Sequence, residues 1–473
     1  MTPEIIKWIG YGTVAYYVIL QVYMFALALL SGYVLRRTYH TRRFGRVNEM
    51  LSSQTSPPIS ILIPAYNEVA GIVDSVRSIS IVGYPRFEIV VTNDGSTDGT
   101  LEALIAAFRL EKVRIPYRPD IETARIRAFY RGRGAVDITV IDKENGGRAD
   151  ALNAAINAAR YPYVLCTDAD VVMDAAALVR GMQRVVEDRE RTIGVGGNIR
   201  PLNGSRVELG HLISASVPRR MIPRMQVLEY MRTFLASRPG WSAMSALPLV
   251  SGAFGIWKRS ALLEVGGYKR GHLGEDLDIT MRLHRHHRDK GIPYRIVYES
   301  SAVLWTEVPD NVRVLRRQRI RWHRGLMTAT RDFLPMTFNP RYGALGMVTW
   351  AGFFLFEFLA PILEVTGWVM LPLAYALGAL NTETVVLMLL LALGAGLMNS
   401  LVALWLDEPY GFYTGPEDTS RLIVIAMIES FGLRQMTVLW RIRAVFGGKR
   451  TRHWGQMERK GVANLGASGL SRK

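Results

Sequence analysis

Two aspartates one residue apart, Asp168 and Asp170, interrupt the stretch "VLCTDADVVMD" of residues 164–174. Carboxylates are seldom buried without partners, yet these follow directly on an apolar run suited to burial. Two carboxylates on a strand-end turn can hold a divalent cation, and magnesium commonly takes one or two of them together with substrate phosphates. A solvated turn uses Asp in the same way, so the neighbouring stretches decide the weight of the pair. "TNDGSTDGT" (92–100) ends another apolar run and sets Asp94 at its tip, where a carboxylate can meet a nucleobase or ribose; Thr97 or Asp98 can cap the helix that follows. In "KENGGRADALNAA" (143–155), Gly146 and Gly147 permit close backbone approach before a helix that starts near Arg148, and helix N-termini attract anions. "LGEDLDITMRLHR" (273–285) opens a helix with Glu275, Asp276 and Asp278. Acidic residues suit a helix start, and Asp276 is also a candidate general base. In "RRQRIRWHRG" (316–325), arginines surround Trp322. A basic interfacial helix has this composition; so does a site where Gln318 and Arg321 hold a diphosphate and Trp322 packs on a sugar ring. His323 reads as an interface residue.

These residues need a frame. Apolar runs at "ISILIPAY", "FEIVVTND", "VDITVID", "YVLCTDAD" and "TIGVGGNI" alternate with helical patterns over 69–81, 98–110, 148–160 and 174–187. The alternation predicts a mostly parallel sheet with helices on both faces. Ligands of such sheets sit beyond the carboxyl ends of the strands, which is where Asp94, Asp168 and Asp170 fall.

A chain of 473 residues is too long for one ordinary core. Its formal charge of +17 suits nucleic acid, anionic lipid or an anionic substrate. Arg36, Arg37, Arg42, Arg43 and Arg46 follow the uncharged run 9–35, and Arg441, Arg443, Lys449, Arg450 and Arg452 follow the last apolar run. Charge so placed marks cytoplasmic membrane edges, and no nucleic-acid module accompanies it. Residues 9–35 are long enough to span a bilayer and lack the short core and cleavage site of a signal peptide. "SSQTSPP" (52–58) reads as a linker and 205–250 as a soluble or interfacial segment. Residues 343–380 read as two crossings near Pro361, with one each over 384–406 and 422–440. That arrangement puts the loop 407–418 on the outside. Glu357, Glu364 and Glu429 fall at membrane depth, facing an interior or marking span ends. The bodies expected are 1–50, a membrane helix with a basic flank; 57–330, a catalytic domain; 331–446, membrane and interfacial helices; and 447–473, a basic cytoplasmic tail. The single cysteine, Cys166, excludes an internal disulfide and a cysteine zinc site.

In this order, between these apolar runs, the five stretches resemble the family 2 glycosyltransferases. They are most similar to the membrane-embedded synthases of cellulose, chitin, hyaluronan and poly-N-acetylglucosamine. The resemblance covers about residues 57 to 326. It implies an α/β GT-A domain (a Rossmann-like mixed sheet with helices on both faces) in the cytoplasm, joined to an α-helical transmembrane bundle in the plasma (bacterial inner) membrane. It also implies Mg²⁺ or Mn²⁺ and inverting transfer from a nucleoside-diphosphate sugar, UDP-N-acetylglucosamine or UDP-glucose first, to a growing polysaccharide that is exported. The alternative is single addition to a lipid or lipid-linked acceptor. Pro64, Ala65, Tyr66 and Glu68 match the first nucleotide-binding loop, and Asp94 the acidic residue near uracil or ribose. Asn93 stands where Asp is frequent, Arg148 where Lys is, and Gly274 where Thr is. Asp168 and Asp170 match the metal–nucleotide pair. Glu275 and Asp276 match the catalytic pair, with Asp276 the base. Gln318, Arg321 and Trp322 match the motif over diphosphate and acceptor. "SGAFGIWKRSALLEVGGY" (251–268) resembles the acceptor-side segment. Membrane lipids and an accessory export subunit complete the implied partners, and nucleic acid is not among them.

Overall fold

The computed structural model describes residues 3–43, 56–132, 134, 136–208 and 210–447. Arg46, most of the linker and nearly all of the basic tail lie outside the described residues. The five expected strands form: β1 (Ile59–Ala65), β2 (Phe87–Asp94), β5 (Ile138–Lys143), β6 (Tyr163–Cys166) and β8 (Thr192–Pro201). Between and after them run β3 (Glu111–Val113), β4 (Ile126–Arg131), β7 (Val171–Met173), β9 (Arg206–Glu208), β10 (His211–Ser214), β11 (Gly255–Lys258) and β12 (Arg295–Thr306). Ten of them make one sheet in the order β3-β4-β5-β2-β1-β6-β11-β8-β12-β7, while β9 and β10 form a separate hairpin. The centre, β5-β2-β1-β6, is parallel. Its strands read as unbroken apolar runs because both faces are covered.

The sheet is mixed rather than mostly parallel. β11 runs antiparallel between β6 and β8, and β4 and β7 are antiparallel near the two edges. The helices Ile72–Ser80, Thr100–Phe108, Arg148–Ala158 and Ala177–Glu187 fall where the periodicity puts them. The alanine-rich Arg148–Ala158 helix is buried over almost its whole length, so its N-terminus is fixed at the sheet edge.

In the membrane half, Gly10–Thr38 and Thr382–Tyr410 are long and apolar enough to cross a bilayer. Residues 343–380 do not make two crossings. They form Leu345–Phe358 and Ala360–Ala376, bent by 46°. At 1.5 Å per residue these pieces are about 21 and 26 Å long, each short of a hydrocarbon core of about 30 Å. The bend falls at Pro361, which cannot continue the hydrogen-bond ladder. The loop 407–418 is not remote from the sheet domain either. Asp407 pairs with Arg200 of β8, and Asp418 accepts from the Val217 N–H at 3.0 Å. The second bent pair, Pro416–Ile428 and Leu433–Phe446, therefore leaves from the sheet side. It also returns there, because Arg324 donates to the Gly447 carbonyl at 3.1 Å and Arg441 to His323 Nδ1 at 3.3 Å. Its two helices meet at a bend of 59°. Each glutamate at membrane depth faces an arginine: Glu429 pairs with Arg232, Glu364 with Arg434 at 3.4 Å, and Glu357 with Arg441 at 2.9 Å.

A membrane-impermeant thiol reagent tests this sidedness. Glu408→Cys should be labelled only from the face that bears the sheet domain, and Leu377→Cys only from the opposite face.

Candidate active site

The strand tips are bound into one rim. The loop after β1 is laced to the loop after β2. Asn67 Oδ1 accepts from the Thr97 N–H at 2.8 Å, Thr100 Oγ1 from Glu68 N–H at 2.9 Å, and Asp98 Oδ2 from Val69 N–H at 3.1 Å. Asn67 adopts φ 55°, a conformation rare outside glycine. In this loop Tyr66 is exposed, Pro64 and Glu68 are half-buried, and Ala65 belongs to the core. Asp94 is buried at the end of β2. One carboxylate oxygen accepts from Gly146 N–H at 3.0 Å and pairs with Lys143; the other accepts from Gly147 N–H at 2.7 Å. Its carboxylate thus ties the end of β2 to the Gly146–Gly147 loop. Lys143 is fully enclosed and also meets Asp150 at 2.6 Å, which Arg270 approaches at 2.9 Å. Lys143 and Asp150 belong to none of the chemistry read from the sequence. Their signal is a lysine ending the buried β5 and an aspartate in a buried alanine-rich helix.

Arg148, at the first position of its helix, is the hub. Its Nε donates to Asp168 Oδ1 at 3.0 Å, and its Nη1 to Glu275 Oε1 at 3.1 Å and to Asp276 Oδ1 at 3.2 Å. Its Nη2 donates to the Gly252 carbonyl at 3.0 Å. Burial alone would weaken its charge, but Asp168, Asp276 and Glu275 outweigh this and hold its pKa well above the ordinary value. Asp276 also accepts from Gly252 N–H at 3.0 Å. Burial pushes the Asp276 carboxyl up to about 6, with Glu275 and Asp168 adding to the rise and Arg148 and the Gly252 amide opposing it. A side chain at Gly252 has no room, since its Cβ would stand 2.5 Å from both Asp276 oxygens and 2.6 Å from Arg148 Nη2. Gly252 is a further residue whose role in the site is visible only in three dimensions.

The helix Val312–Asp332 covers the same rim. Burial lowers the Arg321 pKa; the fields of Glu275, Asp168 and Asp276 oppose the drop and that of Arg148 adds to it. Gln318 Oε1 is enclosed with no partner among the described residues. Trp322 is 42% exposed. Arg319 lies 4.5 Å from its ring centre and is held by Glu229 through two hydrogen bonds of 2.6 and 2.8 Å. Gly274 has a packing reason: a Cβ there would stand 3.2 Å from the Gly325 Cα of the covering helix. The Glu275–Asp289 helix start and the Trp322 helix thus meet backbone to backbone.

The Asp168–Asp170 turn fits a hard divalent cation. Asp168 spends Oδ1 on Arg148, its side chain is 31% exposed, and Asp170 follows on the same turn. All-carboxylate donors suit Mg²⁺ or Mn²⁺. A second acidic group, His272, Asp278 and Asp332, has ligand atoms within 4.8 Å of one another. It fits poorly. Asp278 is paired with Arg282 at 2.7 Å and Asp332 with Lys269 at 3.0 Å, and His272 Nδ1 accepts from Gly274 N–H at 3.0 Å.

The mixed α/β sheet thus has its acidic tips gathered by one arginine under a basic aromatic helix. Residues 57–325 match the family described as glycosyltransferase like family 2, and the chain belongs to it. Similar proteins include the poly-beta-1,6-N-acetyl-D-glucosamine synthase of Staphylococcus epidermidis, 30% identical over 282 residues, 59% of this chain and 57% of that one. The synthase of the same name from Staphylococcus aureus (strain COL) is 29% identical over 268 residues, 56% and 54% of the two chains. The chain thus spans little more than half the length of these relatives. A mannosyltransferase from Pyrobaculum calidifontis, solved with GDP-Man and Mn²⁺, is similar with a TM-score of 0.51 at 18% identity, over 91% of this chain and 100% of that one. At that identity the likeness is one of fold, and it makes the sheet domain a GT-A domain.

Replacing Gly252 by Ala should push Asp276 and Arg148 apart. Because a misplacement of about 1 Å can cost about a hundredfold in rate, sugar turnover should fall by about that factor. Circular dichroism and the melting profile should change little.

Proposed function

We propose that the chain transfers a sugar from a nucleoside-diphosphate donor, UDP-N-acetylglucosamine first, to a growing β-linked polysaccharide, with inversion and with export through its membrane half. The observation that carries this reading is the convergence of Asp168, Glu275 and Asp276 on Arg148 at the carboxyl edge of a GT-A sheet. The names of the staphylococcal relatives support the choice of donor and product.

In this reading, the loop after β1 and the wall built by Asp94 receive the nucleoside, with Tyr66 at its rim. Gln318 and Arg321 hold the diphosphate, with the Arg148 guanidinium alongside. Asp276 accepts the proton of the acceptor hydroxyl as that oxygen attacks the anomeric carbon, and Glu275 steadies Arg148 beside it. Attack from the side opposite the leaving diphosphate turns an α-linked donor into a β-linked product. Trp322 offers its open ring face to the acceptor. Asp168 and Asp170 would hold Mg²⁺ or Mn²⁺, which when bound offsets the charge gathering on the leaving diphosphate. The arginine-flanked apolar helices favour a cytoplasmic catalytic face in the plasma membrane.

Export is supported by the polar interior of the membrane half, where Asn399 donates to Gln21 at 3.0 Å and Glu429, Ser400 and Arg232 interlock. The second reading, one sugar added to a lipid-linked acceptor, gains from the two bent pairs, Leu345–Ala376 and Pro416–Phe446, each at most one crossing, which leave fewer crossings for a channel than the sequence suggests.

Membranes incubated with a panel of radiolabelled nucleotide sugars should yield high-molecular-weight product from UDP-N-acetylglucosamine, and chelation with EDTA should abolish it. A single sugar in the lipid extract would favour the second reading, and no incorporation from any donor would contradict both. Asp276 must be ionised to act, so its raised pKa means that activity is lost as pH falls through about 6. Asp276→Asn should cut turnover by at least about a thousandfold while nucleotide binding persists. An acid limb near 4, the usual carboxylate range, would remove Asp276 as the base.

A further inference from the structure

Lys143 ends β5 as a cation with no exposed surface. An ammonium group carries three donors and no acceptor, and here all three are spent. They go to Asp94, to Asp150 Oδ1 at 2.6 Å and to the Glu144 carbonyl at 2.7 Å. Nothing of Lys143 is left for a ligand, so it acts only through these partners. Both carboxylates are as enclosed as the lysine, with 3% and 0% of their side chains exposed. Replacing buried ion pairs by apolar residues of similar volume is often neutral or stabilising. Stability is therefore a poor reason for a charge at the end of an apolar strand, and its partners supply a better one.

Those partners lead to the active-site rim from two sides. The Asp94 carboxylate accepts from the N–H groups of Gly146 and Gly147, the two residues before Arg148. The Asp94 carbonyl accepts from Asn145 Nδ2 at 2.8 Å, so Asp94 holds the loop after β5 at three points. That loop has no slack. A Cβ at Gly146 would stand 2.5 Å from Asp150 Cγ, and one at Gly95 would stand 2.9 Å from the Asn145 nitrogen. On the other side, Asp150 lies in the first turn of the helix that Arg148 opens, and its second oxygen meets Arg270 at 2.9 Å. Asn153 of the same helix accepts from Tyr268 N–H and donates to the Tyr268 carbonyl, both at 2.8 Å. Tyr268 and Arg270 belong to the loop that leads into Glu275 and Asp276. Lys143 is thus a middle link in a chain of alternating charges, Arg270–Asp150–Lys143–Asp94. One end of that chain holds the turn before Arg148, and the other holds the loop before the catalytic pair.

We propose that Lys143 is a positioning residue of the donor site: by holding Asp94 on the Gly146 and Gly147 amides, with Asp150 packed beside them, it fixes the turn from which Arg148 reaches Asp168, Glu275 and Asp276. This rests on the reading above that the rim binds a nucleoside-diphosphate sugar. The test uses the full chain in detergent, UDP-N-acetylglucosamine as donor, and a β-1,6-linked N-acetylglucosamine tetramer as the acceptor probe. Lys143→Met keeps most of the side-chain length and removes the ammonium group. A hydrogen bond to a charged group is worth about ten- to a hundredfold in affinity. The donor KM should rise by about that factor, with the acceptor KM within about twofold. Asp94→Asn should raise the donor KM to a similar extent. Because Lys143 acts through Asp94, the double variant should match Asp94→Asn within about twofold. A lysine with a merely structural role would lower the melting temperature and the active fraction and leave both KM values at the wild-type level. An unchanged donor KM, donor and acceptor KM rising together, or single losses that multiply in the double variant would overturn the proposal while leaving the sugar-transfer reading intact. Should Lys143→Met fail to fold, the double variant, in which Asp150 keeps Arg270 and no carboxylate is left at position 94, decides alone against Asp94→Asn. A wild-type chain that releases no UDP from the donor and extends no tetramer would contradict the underlying reading, and this proposal with it.

Discussion

The guanidinium of Arg148 holds carboxylates from the loop after β6 and from the start of the Glu275–Asp289 helix within reach of one another, and also grips the backbone at Gly252. Without it, Asp168, Glu275 and Asp276 would repel one another at a lip too enclosed for water to screen them well. Removing one partner of such a buried set typically costs about 3–5 kcal/mol. The rest of the sheet domain serves this placement. The buried Arg148–Ala158 helix anchors the arginine from below. Antiparallel β11 places the Ser251–Gly252 turn opposite the end of β6, since Gly255 pairs with Cys166. The contact of Gly274 with Gly325 sets the covering helix over the carboxylates.

A second constraint lies where the sheet domain meets the membrane helices. Arg200 reaches from β8 to Asp407, the π-helical turn Arg232–Ser237 carries Arg232 to Glu429, and the next helix, Arg238–Ala243, fastens to Ser31 and Tyr23. These ties fasten the sheet domain to the first apolar helix and to the C-terminal helices.

Much of this is legible in the chain. The apolar runs that became β1, β2, β5, β6 and β8 are buried on both faces, so they stand out without alternation, and the acidic residues fall at their tips. β12 is hidden because Glu299, Ser300 and Ser301 break its pattern; buried Glu299 is satisfied by Arg184 at 2.8 Å, a partner 115 residues away. β11 is four residues long, too short for periodicity. Gly252 falls inside the 251–268 segment, but its importance lies in what packs against it, Asp276 and Arg148. The bends at Pro361 and Gly432 are hidden for a related reason. Apolar composition fixes that a helix seeks lipid or core, whereas Pro361 and Gly432, with φ 86°, decide how far it runs. Likewise Asp407 and Asp418, which read as an outer loop, are drawn to the sheet domain by Arg200 and the Val217 amide.

The central claim is that one donor site is built around Arg148. A structure of the full chain with UDP and Mn²⁺, with the metal located by its anomalous scattering, tests it most directly. The account predicts Mn²⁺ at about 2.0–2.3 Å from carboxylate oxygens of the Asp168–Asp170 turn, with the diphosphate between that turn and Arg321 and the Arg148 guanidinium alongside. Manganese at His272, Asp278 and Asp332, or a nucleotide bound away from Arg148, would contradict it.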